Sequence, residues 1–165
     1  MVETMTNVKN MDIGLGAKNR KHVAQALKIF LADTYTLYLK TQNYHWNVKG
    51  KLFQPLHQEF EKQYRELAEA VDTIAEQIRA LGLSAPGSYK SFAQMTSIDE
   101  ADDSNVIKAE EMINQLTQDN ETVIKNAGNA LKIAQDAEDE GSADLLIERI
   151  RSHEKTAWML RSFTA

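Results

Sequence analysis

Apolar residues recur every three or four positions along this chain, over long stretches that glycine and proline leave uninterrupted. That is the spacing of one buried helical face. From Ala17 to His45 the stripe is Val23, Leu27, Phe30, Leu31, Thr34, Leu37 and Tyr38, which predicts a first long helix. A second stripe, Phe53, Leu56, Phe60, Tyr64, Leu67, Val71, Ile74, Ile78 and Leu81, predicts a helix that starts after Gly50 and stops near Gly82. Pro55 fits its first turn, where a missing N–H is tolerated. Residues 83–97 contain Pro86, Gly87 and several serines and are long enough to join two helices pointing the same way, with a short helix expected near Phe92. The third long helix is expected directly after Asp102, Asp103 and Ser104, which offer N-cap side chains and negative charge to a helix start. Its stripe is Val106, Ala109, Ile113, Leu116, Val123, Ala127, Leu131 and Ala134. A turn around Gly141 then leads to a fourth helix from Ala143, burying Leu146, Ile150, Ala157 and Leu160. The fold class is all-α: a four-helix bundle with one long crossover in the middle. Residues 17–165 form this single domain, and residues 1–16 are expected to be a flexible N-terminal tail.

Composition narrows the chemistry. The 165 residues include no cysteine, which removes thiolate catalysis, zinc ribbons and disulfides together. No stretch approaches the roughly 20 apolar residues of a membrane helix, and the N-terminus lacks an apolar signal core, so a cytoplasmic protein with no membrane partner is expected. The net charge of −5 argues against nucleic acid as an obligate partner. Neither a Gly-rich phosphate loop nor a Gly-x-Ser-x-Gly elbow is present, so phosphoryl and acyl transfer lose their usual support.

The second helix carries the candidate chemistry. His57, Glu61, Asp72 and Glu76 form two pairs, each four residues apart. With His57 at zero, Glu61 falls at about 40°, Asp72 at about 60° and Glu76 at about 100° around the helix. All four share a stripe roughly 115° away from the apolar one, so they face away from the centre of their own bundle. Glu61 and Asp72 are separated by roughly 16 Å along the axis, too far for one metal site. The four positions are, however, symmetric about a point between residues 66 and 67. A two-fold axis there sets His57 of one copy against Glu76 of another, and Glu61 against Asp72, giving two identical sites in an isologous dimer. Arg65, Ala68 and Ala75 lie nearest that axis, and the alanines allow close approach.

His45, with Trp46 beside it, ends the first helix within reach of His57 and adds a second imidazole. Imidazole with several carboxylates is a ligand set for Fe(II), Mn or Zn, and open positions favour redox iron chemistry over a closed structural site. The other reading of the stripe is a solvated polar face in a structural helical oligomer. His153 has no second ligand at metal spacing and is expected to make a structural contact.

The segments NYHWNVKG (residues 43–50), LFQPLHQEFEKQY (52–64), VDTIAEQIRALG (71–82) and HEKTAWMLRS (153–162) resemble the Dps family of miniferritins, and the likeness runs from Ile13 to Phe163. The resemblance implies a ferritin-like four-helix subunit and a homododecamer built from two-fold dimers. It also implies a two-iron ferroxidase site at the dimer interface, oxidation of Fe(II), preferably by hydrogen peroxide, and storage of Fe(III) mineral in the cage. On this likeness His45, His57 and Glu61 come from one subunit and Asp72 and Glu76 from its mate, with Trp46 beside the site as a trap for stray oxidising equivalents. Two departures stand out: Glu61 where many members have Asp, and Gln77 where an Arg is common. The Glu-x-x-His signature of an intra-bundle ferritin centre is absent.

The acidic run Asp136, Glu138, Asp139, Glu140 and Asp144 resembles the family's three-fold pore, where negative potential draws Fe(II) inward. DNA binding, non-specific and associated with the nucleoid, is the remaining family trait. Its candidates are Lys9, Lys18, Arg20 and Lys21, set among acids in a particle whose twelve copies total about −60. A DNA-compacting cage with secondary iron chemistry is therefore the alternative function.

Overall fold

A turn over Asp12 to Gly14, closed by the Gly14 N–H on Asp12 Oδ1, precedes α1, which runs from Ala17 to Asn47 and ends where Val48 turns extended. The computed structural model describes residues 11–165. Most of the expected tail, Lys9 included, lies outside the described residues. The chain continues through α2 (Phe53–Ala80), the short α3 (Tyr89–Met95), α4 (Ala109–Asp136) and α5 (Glu140–Ser162). Helices α1 and α2 pack as one hairpin and α4 and α5 as another, with α1 against α4 across the middle. The 83–108 segment carries the chain back along the bundle so that α4 descends beside α1. Among the described residues there is no strand, and no helix is long and apolar enough to cross a membrane.

The core follows the predicted stripes: Val23, Leu27, Phe30, Leu31 and Leu37 of α1 meet Leu56, Phe60, Leu67, Ile74 and Ile78 of α2, and Ile113, Leu116, Val123, Leu146 and Leu160 from the second hairpin. Three expectations need correction. Phe53 lies at the helix start and is 45% exposed, and Val106 is 50% exposed, because α4 begins at Ala109 rather than after Ser104. The Asp102 carboxylate closes a local turn with the Ser104 N–H and hydroxyl, so it caps no helix. At the other end α5 starts at Glu140, three residues early, because Glu138 adopts φ 60 and Asp139 then accepts the Ser142 N–H at 3.1 Å as N-cap. Gly141 therefore sits inside the first helical turn.

Two buried polar networks fix the arrangement. Fully buried Asp33 on α1 accepts from Thr96 Oγ1 at 3.1 Å, Ser97 N–H at 2.6 Å and Asn126 Nδ2 at 2.8 Å, tying the crossover and α4 to α1. Between the hairpins, Arg149 of α5 donates to both carboxylate oxygens of Glu66 on α2 and, at 3.2 Å, to His153 Nε2. His153 Nδ1 donates to Asn120 Oδ1 of α4 at 2.8 Å, and Ser152 Oγ donates to Glu66 at 2.9 Å. His153 thus makes the expected structural contact. Burial first, and the Arg149 charge second, push its pKa down to about 3, so it is neutral. Burial alone would raise the Glu66 carboxyl, but Arg149 and Ser152 outweigh it and hold it below the usual range. A guanidinium occupying the bundle interior disfavours any second cation there.

Candidate metal centre

The turn between α1 and α2 is short enough to bring the end of one helix against the start of the next. His45 and His57 consequently stack, ring centroids 3.9 Å apart and planes 18° from parallel. Their hydrogen bonds are reciprocal: His45 Nδ1 lies 2.7 Å from the His57 carbonyl, and His57 Nδ1 lies 2.8 Å from the His45 carbonyl. A carbonyl only accepts, so each Nδ1 carries a proton, and Nε2 is the nitrogen of each ring left open to a metal. Fixing the tautomer through the other ring nitrogen is how proteins orient an imidazole for a metal.

Aromatic rings frame this pair. Tyr64 meets His45 edge-on at 5.2 Å, and Phe53 stacks on the outer face of His57 at 5.1 Å. The sequence pattern assigned both to the core stripe; their actual position follows from the turn geometry, which periodicity does not encode. Trp46 turns elsewhere: 60% exposed, it lines a cleft of about 280 Å³ with Leu39, Tyr89 and Phe92.

Glu61 stands one turn beyond His57. Its Oε1 accepts from Arg65 Nε at 3.0 Å and Nη2 at 2.7 Å. These bonds hold its carboxyl below the usual carboxylate range; the Arg65 charge adds to the effect and partial burial opposes it. Asp72 and Glu76 are exposed on the same uninterrupted helix, roughly 16 Å further along. Among the described residues of one chain, no three His, Asp or Glu side chains converge at metal distance. One chain thus brings His45 against His57, places Glu61 one turn further along α2, and leaves Asp72 and Glu76 apart. Arg65 and Ala68 are exposed between the two groups, with Ala75 half-buried.

The acidic run at the α4–α5 corner divides in two. Asp139 is buried and used in capping, so it does not present its carboxylate as a pore lining would require. Asp136 pairs with Lys132 at 3.3 Å, while Glu140 and Asp144 are exposed on the first turns of α5. Of the basic candidates, Lys18 and Lys21 are exposed on α1. Arg20 is a correction: it is buried, and its guanidinium donates to the Leu15 carbonyl at 2.8 Å, bracing the turn before α1 instead of facing a phosphate.

Residues 24–165 match the model of the ferritin-like domain family. A low temperature-induced protein of Nostoc is 40% identical over 154 residues, covering 93% of this chain and 86% of that protein. DNA protection during starvation protein 2 of Bacillus anthracis is 38% identical over 143 residues, covering 87% of this chain and 97% of that one. Among solved structures, the Dps protein of Vibrio cholerae, described as a member of a broad superfamily of ferritin-like diiron-carboxylate proteins, superposes with a TM-score of 0.88 at 30% identity over 93% of this chain and 95% of that one.

Proposed function

The chain belongs to the Dps family of ferritin-like proteins, and on that premise we propose that it oxidises Fe(II) at sites shared between two subunits and stores the ferric product in a dodecameric cage. The observation that carries this reading is the reciprocal Nδ1 lock of His45 and His57, which spends both Nδ1 nitrogens on backbone carbonyls and leaves both Nε2 nitrogens open to a metal. Glu61 stands ready as an ionised partner. Asp72 and Glu76 complete each site from the two-fold mate, since one helix cannot unite them with His57.

Iron is the substrate here. Carboxylates stabilise Fe(III) relative to Fe(II), so the shared oxygen ligands favour the oxidised product. Hydrogen peroxide accepts two electrons, one from each of two Fe(II) ions; with two protons it leaves as two waters, and no radical needs to escape. Trp46, next to His45 in sequence but turned away from the imidazole pair, takes the role of an exposed, oxidisable ring outside the site. Glu140, Asp144 and Asp136 surround the Fe(II) entry, where their negative potential raises the local cation concentration.

The test is anaerobic Fe(II) loading, then stoichiometric peroxide, with ferric absorbance followed and the product run on a sizing column. Rapid oxidation with iron eluting near twelve subunits' mass is expected, and His57→Ala with Asp72→Ala should abolish it while leaving the particle intact. An intact particle that leaves iron oxidising at the buffer rate would move the assignment to the DNA-compacting cage.

A further inference from the structure

The imidazole pair is one end of a longer series of touching rings. Tyr64 meets His45 at 5.2 Å, Tyr38 meets Tyr64 at 6.2 Å, Tyr35 meets Tyr38 at 5.6 Å, and Tyr89 meets Tyr35 at 6.5 Å, centroid to centroid. Each step lies in the range of direct aromatic contact. Four of the six rings, counting from His57, are phenols, which lose an electron and a proton more readily than phenylalanine does. The series runs alongside α2. At its far end Tyr35 and Tyr89 share a groove with Val71 and Ala75, the residues that precede Asp72 and Glu76 on that helix.

The two ends therefore serve different metal sites. His57 belongs to one site of the proposed dimer, whereas Asp72 and Glu76 of the same chain belong to the other. Residues 57 and 72 stand roughly 22 Å apart along α2, too far for one rapid electron transfer, while ring-to-ring steps divide the distance. Arg65 gives the series a direction. Its guanidinium lies over the Tyr64 ring at 5.7 Å, an attraction that turns to repulsion when that ring is oxidised, so the electron vacancy is driven on toward Tyr38.

We propose that Tyr64, Tyr38, Tyr35 and Tyr89 form an electron relay between the two iron sites of a dimer, so that two sites holding one Fe(II) each can reduce one peroxide together. The inference rests on the shared-site reading given above. Peroxide takes one electron from the Fe(II) it meets and splits into hydroxide and a hydroxyl radical. The radical takes the hydroxyl hydrogen atom of Tyr64 and leaves as water. Each phenol in turn then recovers its electron from the next ring and its proton from water, and the last electron comes from Fe(II) at the second site. In sum, two Fe(II) and one peroxide give two Fe(III) and two hydroxides, and no radical remains.

The test loads wild type, Tyr38→Phe and Tyr35→Phe anaerobically with one or two Fe(II) per subunit and adds limiting hydrogen peroxide. Fe(III) formed per peroxide is measured, together with spin-trapped hydroxyl radical and freeze-quenched electron paramagnetic resonance. Phenylalanine keeps the ring and its packing and removes only the oxidisable hydroxyl, so circular dichroism and particle size should be unchanged. At one Fe(II) per subunit the wild type should give two Fe(III) per peroxide. Both variants should fall toward one, with a tyrosyl signal or trapped hydroxyl radical making up the difference. At two Fe(II) per subunit each site supplies both electrons, and all three proteins should agree. Two Fe(III) per peroxide from both variants at the lower loading would overturn the relay and leave the iron site standing. A deficit that persists at the higher loading would also overturn it, because the damage would then lie in the site itself. A wild type that oxidises iron no faster than buffer would overturn the shared-site reading and the relay with it.

Discussion

Replacing His153 with Gln should flatten the acid sensitivity of this fold. His153 is 1% exposed, donates from Nδ1 to Asn120 and accepts at Nε2 from Arg149, so a second ring proton would have a guanidinium for a neighbour and no acceptor. Its pKa falls from 6.5 to about 3 on folding. The unfolded chain therefore takes up the proton first. The stabilisation is complete above pH 6.5 and is lost as pH falls toward 3. The linkage relation gives a loss of about 2 kcal/mol between pH 7 and pH 5, and about 3 kcal/mol by pH 4. Urea unfolding at fixed protein concentration, followed by far-ultraviolet circular dichroism at both pH values, measures it; fixed concentration matters because assembly adds its own term. Glu66 and the other carboxylates are common to both proteins, so the difference between their pH slopes isolates His153. Slopes agreeing within about 0.5 kcal/mol would refute the reasoning.

Three other outcomes follow from the same structure. Asp33→Ala strands the Ser97 N–H and the Asn126 amide and should destabilise the fold by about 3 kcal/mol, with hydrogen exchange rising first across residues 89–98; Asp33→Asn should cost about half as much. Arg65→Ala removes the competitor for Glu61 and should tighten Co²⁺ binding by about two- to fivefold, since an exposed pair is worth less than 1 kcal/mol; calorimetry showing weaker binding would contradict this. His45→Ala breaks one half of the reciprocal lock, and should weaken metal binding at the remaining His57 as well as removing a ligand, visible as a loss greater than that of Glu61→Gln.

The long helices were legible because their stripes are long and unbroken: α1 begins at the predicted Ala17, and the short helix near Phe92 is present. Helix starts were less so. Asp102 and Ser104 have cap chemistry, yet they satisfy each other across a tight turn, and the true start at Ala109 has no Ser, Thr, Asp or Asn at its N-cap, Glu111 accepting from the Lys108 N–H instead. Asp139 read as a pore acid because composition cannot distinguish a carboxylate facing solvent from one bonded to its own helix. At the site, spacing alone separated the His57 and Asp72 pairs onto one face too long for a single centre. The stacking of His45 on His57 depends on how residues 48–52 turn, and the Glu66–Arg149 contact spans 83 positions; neither leaves a periodic trace. Arg20 looked like a free cation for the same reason, its partner being a backbone carbonyl that sequence does not mark.

The central claim, a site completed by a second copy, is tested most directly by complementation. His57→Ala and Asp72→Ala chains are prepared separately, each expected to oxidise Fe(II) with peroxide no faster than buffer. Refolded together, mixed dimers regain one site built from the intact His57 of one chain and the intact Asp72 of the other, so about a quarter of all sites return for random pairing. Recovery near that fraction is the expected result. A mixture as inactive as its parents would contradict the shared site.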